Sequence, residues 1–364
     1  MDGIACIKVR EVHGIRRFLY PLTAVLVLPE GWPQARLGLA RAEGTPVPFQ
    51  ITPEQGERGR VARIDFAISL APHEEADLIL GPGIESPEID DPIRTSGSDP
   101  YRCEQRRFRL ELDRQGLPHQ AVYDGRAHLR GPGAIRCNGS PATPAGPPAF
   151  AAGPLVARLS SPGEYPGKAP CLTMIESSAC KSWAVSTHVL LEPRPGDEVC
   201  FTLPVDVASP APTCDFGVGG GIYARLGAGS APEISWRTEF LPDGGARWSW
   251  FSGGRLDCRG TEESGGRYRP QRWFHLIDGD RALAAAIATV PRSCRMMTAA
   301  VSAEGDCTVT FRLGEEISGP AAFGICWHFL NGIPAVAAAT NPQSILLAPL
   351  VEVTAAHTAG TGGN

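Results

Sequence analysis

Long apolar runs, a leader segment and paired cysteines are all missing from this sequence of 364 residues. No apolar run approaches the ~20 residues that a membrane-spanning helix requires, so we expect no membrane partner. The N-terminus, MDGIACIKVREVHG, has no cationic region followed by an apolar core. We therefore predict a cytoplasmic protein, or a periplasmic one if a leader has been removed. The eleven cysteines form no CxxC pair, which favours reduced, buried thiols over a disulfide framework.

Lysine is scarce as well. The chain has 34 lysines and arginines, of which only Lys8, Lys168 and Lys181 are lysines and the other 31 are arginines. This excess of arginine has two alternative explanations. One is a bias in the base composition of the genome, and the other is a need for guanidinium forks that bind carboxylates. The formal net charge of -5 argues against a nucleic-acid partner.

Nucleotide-binding motifs are absent, although CDFGVGGGIYARLGAGSAP, starting at Cys214, is rich in glycine. The stretch contains no lysine, which a P-loop needs, and Ile222 occupies the third glycine position of a dinucleotide fingerprint. Glycine inside a strand marks a bulge or a close approach of backbone or ligand. We predict a bulged strand over Phe216–Leu226 and no cofactor, with Tyr223 pointing into a sugar cleft as the functional alternative.

What the sequence does have is period-two alternation, the sign of half-buried strands. In Ala62–Leu70, five apolar residues alternate with Arg63, Asp65 and Ser69, which face the other way. The segments FRLEL and CTVTFRL repeat the pattern. The short apolar run RALAAAIATV is ambiguous between helix and strand, and its flanking turn residues favour a buried strand. Many short strands between turn signals predict an all-β protein of sandwich type.

Two loose stretches suggest the domain organisation. Residues 81–100 are rich in proline, glycine and serine, which predicts a boundary. We expect an N-terminal β-sandwich over 1–95, a large antiparallel β-supersandwich over 98–355 and a flexible tail over 356–364. The stretch 137–154 is either a linker or a long loop over a binding face, and we favour the loop.

Aromatic side chains gather in the second half of the chain, where six of the seven tryptophans follow residue 180. Polar and charged side chains accompany them, and flat rings beside hydrogen-bonding groups suit sugars. Tryptophan is also a common core residue, so a purely structural role is the alternative. The predicted substrate-binding residues are Trp236, Arg237, Glu239, Trp248, Trp250, Trp327 and Asn331.

Other catalytic signatures are weak. Cys326 and His328 alternate on one predicted strand, but no second pair has metal-ligand spacing, so we predict no metal. No GxSxG elbow is present. Glu262 with Glu263 would supply two carboxylates for glycoside hydrolysis, and so would Glu233 with Glu239. Alternatively, the residues of both pairs are solvent-exposed acids in loops without a catalytic role.

Several segments together resemble a known family. YRCEQRRFRLELDRQGLPHQAVYDGRAHL is similar to the opening hairpin of galactose-mutarotase-like supersandwich domains. RWFHLIDGDRALAAAIATV and CWHFLNGIPAVAAATNPQSILLAPL are similar to later strands of that fold, and VLPEGWPQARLGLARAEGTPVPFQITP resembles the N-terminal strands of large carbohydrate-active β proteins. Among such proteins the chain resembles the exo-rhamnogalacturonan-lyase-like polysaccharide lyases. The resemblance implies activity on a carbohydrate.

We therefore expect an enzyme that cleaves an acidic or oxidised oligosaccharide by β-elimination. That reaction needs a cation to neutralise the carboxylate, a base for the α-proton and an acid for the leaving oxygen. The candidates are Arg272 or Arg237 as the cation, His275 or His328 as the base, and Tyr268 or Tyr223 as the acid.

Two alternatives stay open. The first is a glycoside hydrolase or sugar epimerase that uses Glu239 and a histidine. The second is a non-catalytic sugar-binding or assembly subunit in which the tryptophans form a platform or a protein interface. The sequence is also compatible with a homo-oligomer.

Overall fold

A computed structural model describes the chain with short gaps, and it is almost entirely β. The all-β prediction is confirmed. The described residues are 5–27, 37–56, 59–97, 100–179, 181–209, 212–218, 223–227, 233–264, 268–331 and 345–355.

The strands follow one another closely and are numbered in chain order. The first eleven are β1 Ala5–Arg10, β2 Arg17–Val27, β3 Leu37–Arg41, β4 Phe49–Gly56, β5 Gly59–Leu70, β6 Glu75–Pro82, β7 Arg94–Ser96, β8 Tyr101–Glu104, β9 Phe108–Leu112, β10 Pro118–Tyr123 and β11 Arg126–Ala127. The next ten are β12 Ala134–Cys137, β13 Ser140–Pro141, β14 Thr143–Pro144, β15 Ala149–Ala152, β16 Val156–Tyr165, β17 Ala169–Ser178, β18 Trp183–Leu190, β19 Glu198–Pro204, β20 Thr213–Val218 and β21 Tyr223–Gly227. The last nine are β22 Glu233–Phe240, β23 Ala246–Ser252, β24 Arg255–Thr261, β25 Pro270–Asp278, β26 Arg281–Thr289, β27 Cys294–Ser302, β28 Asp306–Leu313, β29 Ala321–Asn331 and β30 Leu350–Ala355.

An N-terminal sandwich is built from a four-stranded sheet, in the order β3-β6-β1-β30, and a three-stranded sheet, in the order β2-β5-β4. The alternation of apolar and polar residues places the apolar side chains inside this sandwich. Ile64 and Phe66 of β5 are fully buried in its core beside Ile7 and Leu78. Burial of such side chains contributes about 1.5–3 kcal/mol each. Asp65, on the opposite face of β5, is nevertheless also buried, because that face packs against the rest of the protein.

The last described strand belongs to the same sheet as the first. Strand β30 pairs antiparallel with β1, with Ala5 opposite Ala355. It lies within the predicted supersandwich segment 98–355 but completes the sheet of the N-terminal sandwich. The predicted tail, 356–364, lies outside the described residues.

Two large antiparallel sheets form the second sandwich, one of eight strands and one of ten. A single apolar core fills the space between them. Aromatic contacts cross it: Phe216 of the ten-stranded sheet meets Trp250 of the eight-stranded sheet at 5.4 Å between ring centroids, and Phe323 meets Phe311 at 5.2 Å. The alternating residues of β28 point into this core, as the pattern predicts. The five-stranded sheet, β7 to β11, packs against the same core.

Strand β26 confirms that RALAAAIATV is a strand and not a helix. It lies inside the ten-stranded sheet between β25 and β29. Its alanines at 282, 284 and 286 point to the outer face of this sheet, away from the core between the two large sheets.

The stretch 137–154 is neither a free linker nor an open loop. It forms three short edge strands, of which β13 pairs with β12 while β14 and β15 both pair with β16.

The glycine-rich stretch forms a hairpin rather than the single strand predicted over Phe216–Leu226. Strands β20 and β21 pair antiparallel, and residues 219–222 lie outside the described part. The register of β20 against β25 shifts between Phe216 and Val218, which pair with Phe274 and Pro270. The extra residues therefore lie in β25, and the described part of the glycine-rich stretch does not show the predicted bulge. A Cβ atom on Gly217 would lie 2.3 Å from Nε1 of Trp273. Glycine is therefore required here by a neighbouring tryptophan ring.

Candidate functional site

A cavity of about 970 Å³ opens at one end of the two large sheets. It lies where the β22–β23 turn, the start of β25, the β26–β27 turn and the segment before β30 meet. We call it the arginine pocket and define it by six lining residues: Arg269, Arg272, Trp273, Arg292, Leu346 and Leu347.

Positive charge dominates this pocket. Its three arginines are exposed, and its described lining contains no Asp, Glu, His, Lys or Tyr. Arg269 is paired at the rim with Glu262 at 2.8 Å. Arg272 and Arg292 form no ion pair within the described ranges. Their guanidinium groups therefore offer planar hydrogen-bond donors to an anion in the cavity.

Local sequence explains why the arginines lie together. In PQRW, at the start of β25, Pro270 and Trp273 are buried and Arg272 is exposed. Strand β26 is the hydrogen-bonded neighbour of β25, and Val290-Pro291 follows its end. Proline cannot continue a strand ladder, so the chain turns there and Arg292 lies in that turn.

Trp273 forms the floor of the pocket. Its ring is almost fully buried, and its Nε1 donates a hydrogen bond to Oε1 of Gln271 at 3.1 Å. On the far side of the ring lies His275, with 5.3 Å between ring centroids. The outer face of the ten-stranded sheet therefore supports the ring that forms the floor of the pocket.

The structure brings the two predicted bases together, but away from the pocket. In the ten-stranded sheet His275 is opposite Ala284, and Ala284 is opposite His328. Both histidines therefore lie in one cross-strand row, separated by a small side chain. His275 is completely buried behind Trp273, so a substrate in the pocket has no direct access to it.

His328 is held in its neutral form. Burial lowers its pKa to about 3, and the charge of Lys181 and the neighbouring His275 add to the effect. Its Nδ1 has no hydrogen-bond partner among the described residues, and its ring meets Trp183 at 5.7 Å between centroids. A base with such a low pKa is mostly deprotonated at neutral pH but is a weak proton acceptor.

The predicted tryptophan platform is not formed. The rings of Trp236, Trp248, Trp250 and Trp327 lie in the core between the two large sheets, with 0%, 1%, 4% and 2% of their surface exposed. Alternation in SWRTEF and RWSWF does place each set of rings on one side of its strand, but that side faces inwards. Stacking on a sugar requires an exposed ring, so the structural alternative holds for all four.

Three further candidates for substrate binding are dispersed. Arg237 is exposed and lies over the ring of Phe251, with 5.6 Å to its centroid. Glu239 forms an ion pair with Arg247 at 2.8 Å. Asn331 donates a hydrogen bond to the carbonyl of Tyr123, and its Oδ1 lies 3.1 Å from Nε2 of His128. None of the three lines the arginine pocket.

The structure describes the side chain of only one of the two candidate acids, Tyr268 and Tyr223. Tyr268 is half exposed, beside Arg269, and has a positive φ of 58°. Its carbonyl accepts a hydrogen bond from Nε1 of Trp250 at 2.8 Å. Tyr223 lies in β21 opposite Gly217, and its side chain lies outside the described part.

The carboxylate pairs proposed for hydrolysis do not meet in a cleft. Glu262 and Glu263 are exposed on a short 3-10 turn, and Glu233 is exposed at the start of β22.

Sequence reasoning missed several pocket residues, among them Arg292. Its signal is the strand-ending Val290-Pro291 just before it, which places the next side chain in a turn at the sheet's end. Of the predicted site residues whose side chains the structure describes, Arg272 alone lines the pocket.

The described ranges offer neither a cluster of metal ligands nor a membrane-spanning helix. These ranges contain no group of three or more His, Cys, Asp or Glu residues that could hold a metal ion. No helix among them is long and apolar enough to cross a membrane.

No protein-family model matches the chain, and no curated protein matches it in sequence. Among solved structures, the chain is similar to a protein in glycosyl hydrolase family 38 from Enterococcus faecalis, at 9% identity and a TM-score of 0.57. It is also similar to an alpha-mannosidase from Enterococcus faecalis V583, at 9% identity and a TM-score of 0.60.

Each likeness covers 97% of this chain but only 48% and 46% of the two solved chains, respectively. The chain thus spans about half the length of these structures. At this identity the likeness shows the fold, an all-β sandwich assembly.

Proposed function

We propose that this chain binds an acidic saccharide in the arginine pocket. The observation that carries the proposal is the charge of the cavity: Arg269, Arg272 and Arg292 line it, and its described lining contains no carboxylate. A guanidinium fork binds a carboxylate through two parallel hydrogen bonds, which gives both affinity and orientation.

Size and fold support a carbohydrate as the ligand. A cavity of about 970 Å³ lies at the upper end of the range for small-molecule pockets, about 300–1,000 Å³. The apolar side chains of Phe240, Leu346 and Leu347 share the lining with the arginines, and sugars carry apolar as well as hydroxylated faces. The two solved structures that share the fold are described as a glycosyl hydrolase family 38 protein and an alpha-mannosidase.

Binding without turnover is the function that the geometry supports best, because catalysis needs a base within reach of the substrate. The described lining of the pocket contains no carboxylate, histidine, lysine or tyrosine. Burial raises the pKa of its thiol, Cys294, to about 12, and His275 lies behind Trp273. Cleavage by β-elimination is the second candidate. The observation in its favour is Arg272, which offers the cation that neutralises a uronate carboxylate.

The test is calorimetric titration with disaccharides of galacturonate, glucuronate and mannuronate, each beside its neutral hexose counterpart. We expect a uronate to bind and its neutral counterpart to bind much more weakly. A hydrogen bond to a charged group contributes about 1.5–3 kcal/mol, so Arg272→Ala and Arg292→Ala should each weaken binding about 10- to 100-fold.

The matched control is Arg255→Ala, an exposed arginine of the edge strand β24 that does not line the pocket. It should bind the uronate like the unaltered protein. Equal binding of acidic and neutral sugars, or unchanged affinity in both pocket variants, would refute the proposal. Near-ultraviolet absorbance recorded on the same mixtures decides the second candidate, because elimination leaves an unsaturated sugar that absorbs there.

A further inference from the structure

One wall of the arginine pocket belongs to a segment that is held by the N-terminal sandwich. Leu346 and Leu347 line the cavity. Ile345 and Leu346 also pack against the apolar core of that sandwich. This segment therefore lines the pocket and also contacts the N-terminal sandwich. The sandwich contributes no other lining residue in the described ranges.

Arg17 fixes this wall through the main chain. Its Nη2 donates a hydrogen bond to the carbonyl oxygen of Leu347, three residues before β30 begins. Its side chain is only 1% exposed, and its guanidinium lies over the ring of Tyr20, with 4.9 Å to the centroid. A buried cation that reaches across to a single carbonyl gives that carbonyl a defined position.

Glu11 holds Arg17 in place. Its Oε1 accepts a hydrogen bond from Nη2 of Arg17 at 3.1 Å. Backbone N–H groups of His13, Ile15 and His73 donate to the same carboxylate, at 3.0 to 3.3 Å. Burial alone would raise the pKa of Glu11, but these four donors lower it to about 2. The carboxylate is therefore charged at neutral pH, and the contact from Glu11 through Arg17 to Leu347 stays formed.

We propose that Arg17 is a positioning residue for the arginine pocket, so that the N-terminal sandwich completes the acidic-saccharide site. This inference rests on the proposed function. It has a consequence for binding: a saccharide whose apolar face contacts Leu346 and Leu347 is bound most tightly when these residues are held in place, so affinity depends on the contact between Arg17 and Leu347. Coupling of this kind is reciprocal, and bound saccharide in turn stabilises the wall against the sandwich.

The test combines two readouts on the full chain, hydrogen exchange of the backbone amides at residues 345–350 and calorimetric affinity for digalacturonate. In Arg17→Met we expect faster exchange at this segment and about tenfold weaker binding, a change that corresponds to about 1.4 kcal/mol. Because this variant leaves the Glu11 carboxylate buried without its cation, a second variant, Glu11→Gln with Arg17→Met, removes both charges together. The control is Arg16→Met, which alters the exposed neighbouring residue and should change neither readout.

The outcomes are distinct. Faster exchange with unchanged affinity would overturn the coupling, and exchange unchanged in both Arg17 variants would overturn the positioning role. If the unaltered protein binds none of the uronate disaccharides, the proposed function fails and the coupling fails with it. Exchange at residues 345–350 still decides in that case whether Arg17 positions the wall.

Discussion

Two groups of arginines differ in what surrounds them. At the contact between the sandwiches, Arg158 donates two hydrogen bonds to Asp65, at 2.5 and 2.8 Å, and one to Glu176 at 2.6 Å. Arg63 donates to the same Glu176 at 3.1 Å. We call these four residues the docking network, and its two cations are matched by two carboxylates. In the arginine pocket, by contrast, Arg272 and Arg292 have no carboxylate partner within the described ranges.

The difference teaches how to separate structural from functional arginines in a chain that has 31 of them. A partly buried guanidinium that is matched by carboxylates joins two parts of a fold. One that faces a cavity without a matching carboxylate is available to a ligand. Composition alone cannot make this distinction, because both groups use the same residue type.

The largest expected effect breaks the docking network. Asp65→Ala removes a carboxylate that is 1% exposed and leaves Arg158, at 16%, without its bidentate partner. Loss of one partner of a buried ion pair costs about 3–5 kcal/mol, so the free energy of unfolding should fall by that amount in urea titrations. The control is Asp90→Ala, whose carboxylate is 85% exposed and lies 3.8 Å from Arg106. A loss no larger than in this control would show that the network does not join the two sandwiches.

An intermediate effect is expected at the pocket floor. Gly217→Ala would place a Cβ atom 2.3 Å from Nε1 of Trp273, and overpacking of this kind costs about 1–3 kcal/mol. Since Trp273 forms the floor, affinity for digalacturonate should fall together with stability. Gly131→Ala is the control, because a Cβ atom there meets its nearest neighbour at 3.9 Å. Unaltered affinity in Gly217→Ala would mean that Trp273 does not shape the binding site.

The smallest effect sharpens the contrast between paired and unpaired arginines. Glu262→Gln releases Arg269 from its ion pair at the rim. Exposed pairs are worth about 0.2–1 kcal/mol, so uronate affinity should rise by a factor of about 1.5 to 5. The neighbouring Glu263→Gln removes the same charge from the same turn without an ion pair to break in the described ranges. Equal gains in both variants would assign the effect to net charge and not to release of Arg269.

Much of the fold could be predicted from the sequence, because alternation reports directly which residues share a side of a strand. The strands β5, β9, β26 and β28 lie where the apolar patterns place them. What alternation does not report is what covers each side. Asp65 was expected on the open side of β5 but lies against the ten-stranded sheet, and the inward faces of β22 and β23 carry the tryptophans that we had expected in a cleft.

The candidate site was harder to predict, since it depends on contacts between distant segments. Arg272 and Trp273 follow one another in β25, but Arg292 and Leu347 reach the same cavity from other parts of the chain. Local clustering of aromatic and charged residues in the sequence placed Tyr268, Arg272 and His275 among the candidates. It could not show that the ring of Trp273 separates Arg272 from His275.

The pairing of β1 with β30 has a consequence for how the molecule folds. Arg10 and Glu352 are ion-paired across these strands although they are 342 residues apart along the chain. On the ribosome, β1 must therefore wait for its partner until the whole second sandwich has been synthesised. Pairings between such distant segments form slowly. We therefore expect one edge of β1 to stay unpaired during synthesis, and chaperones can bind that edge throughout this time.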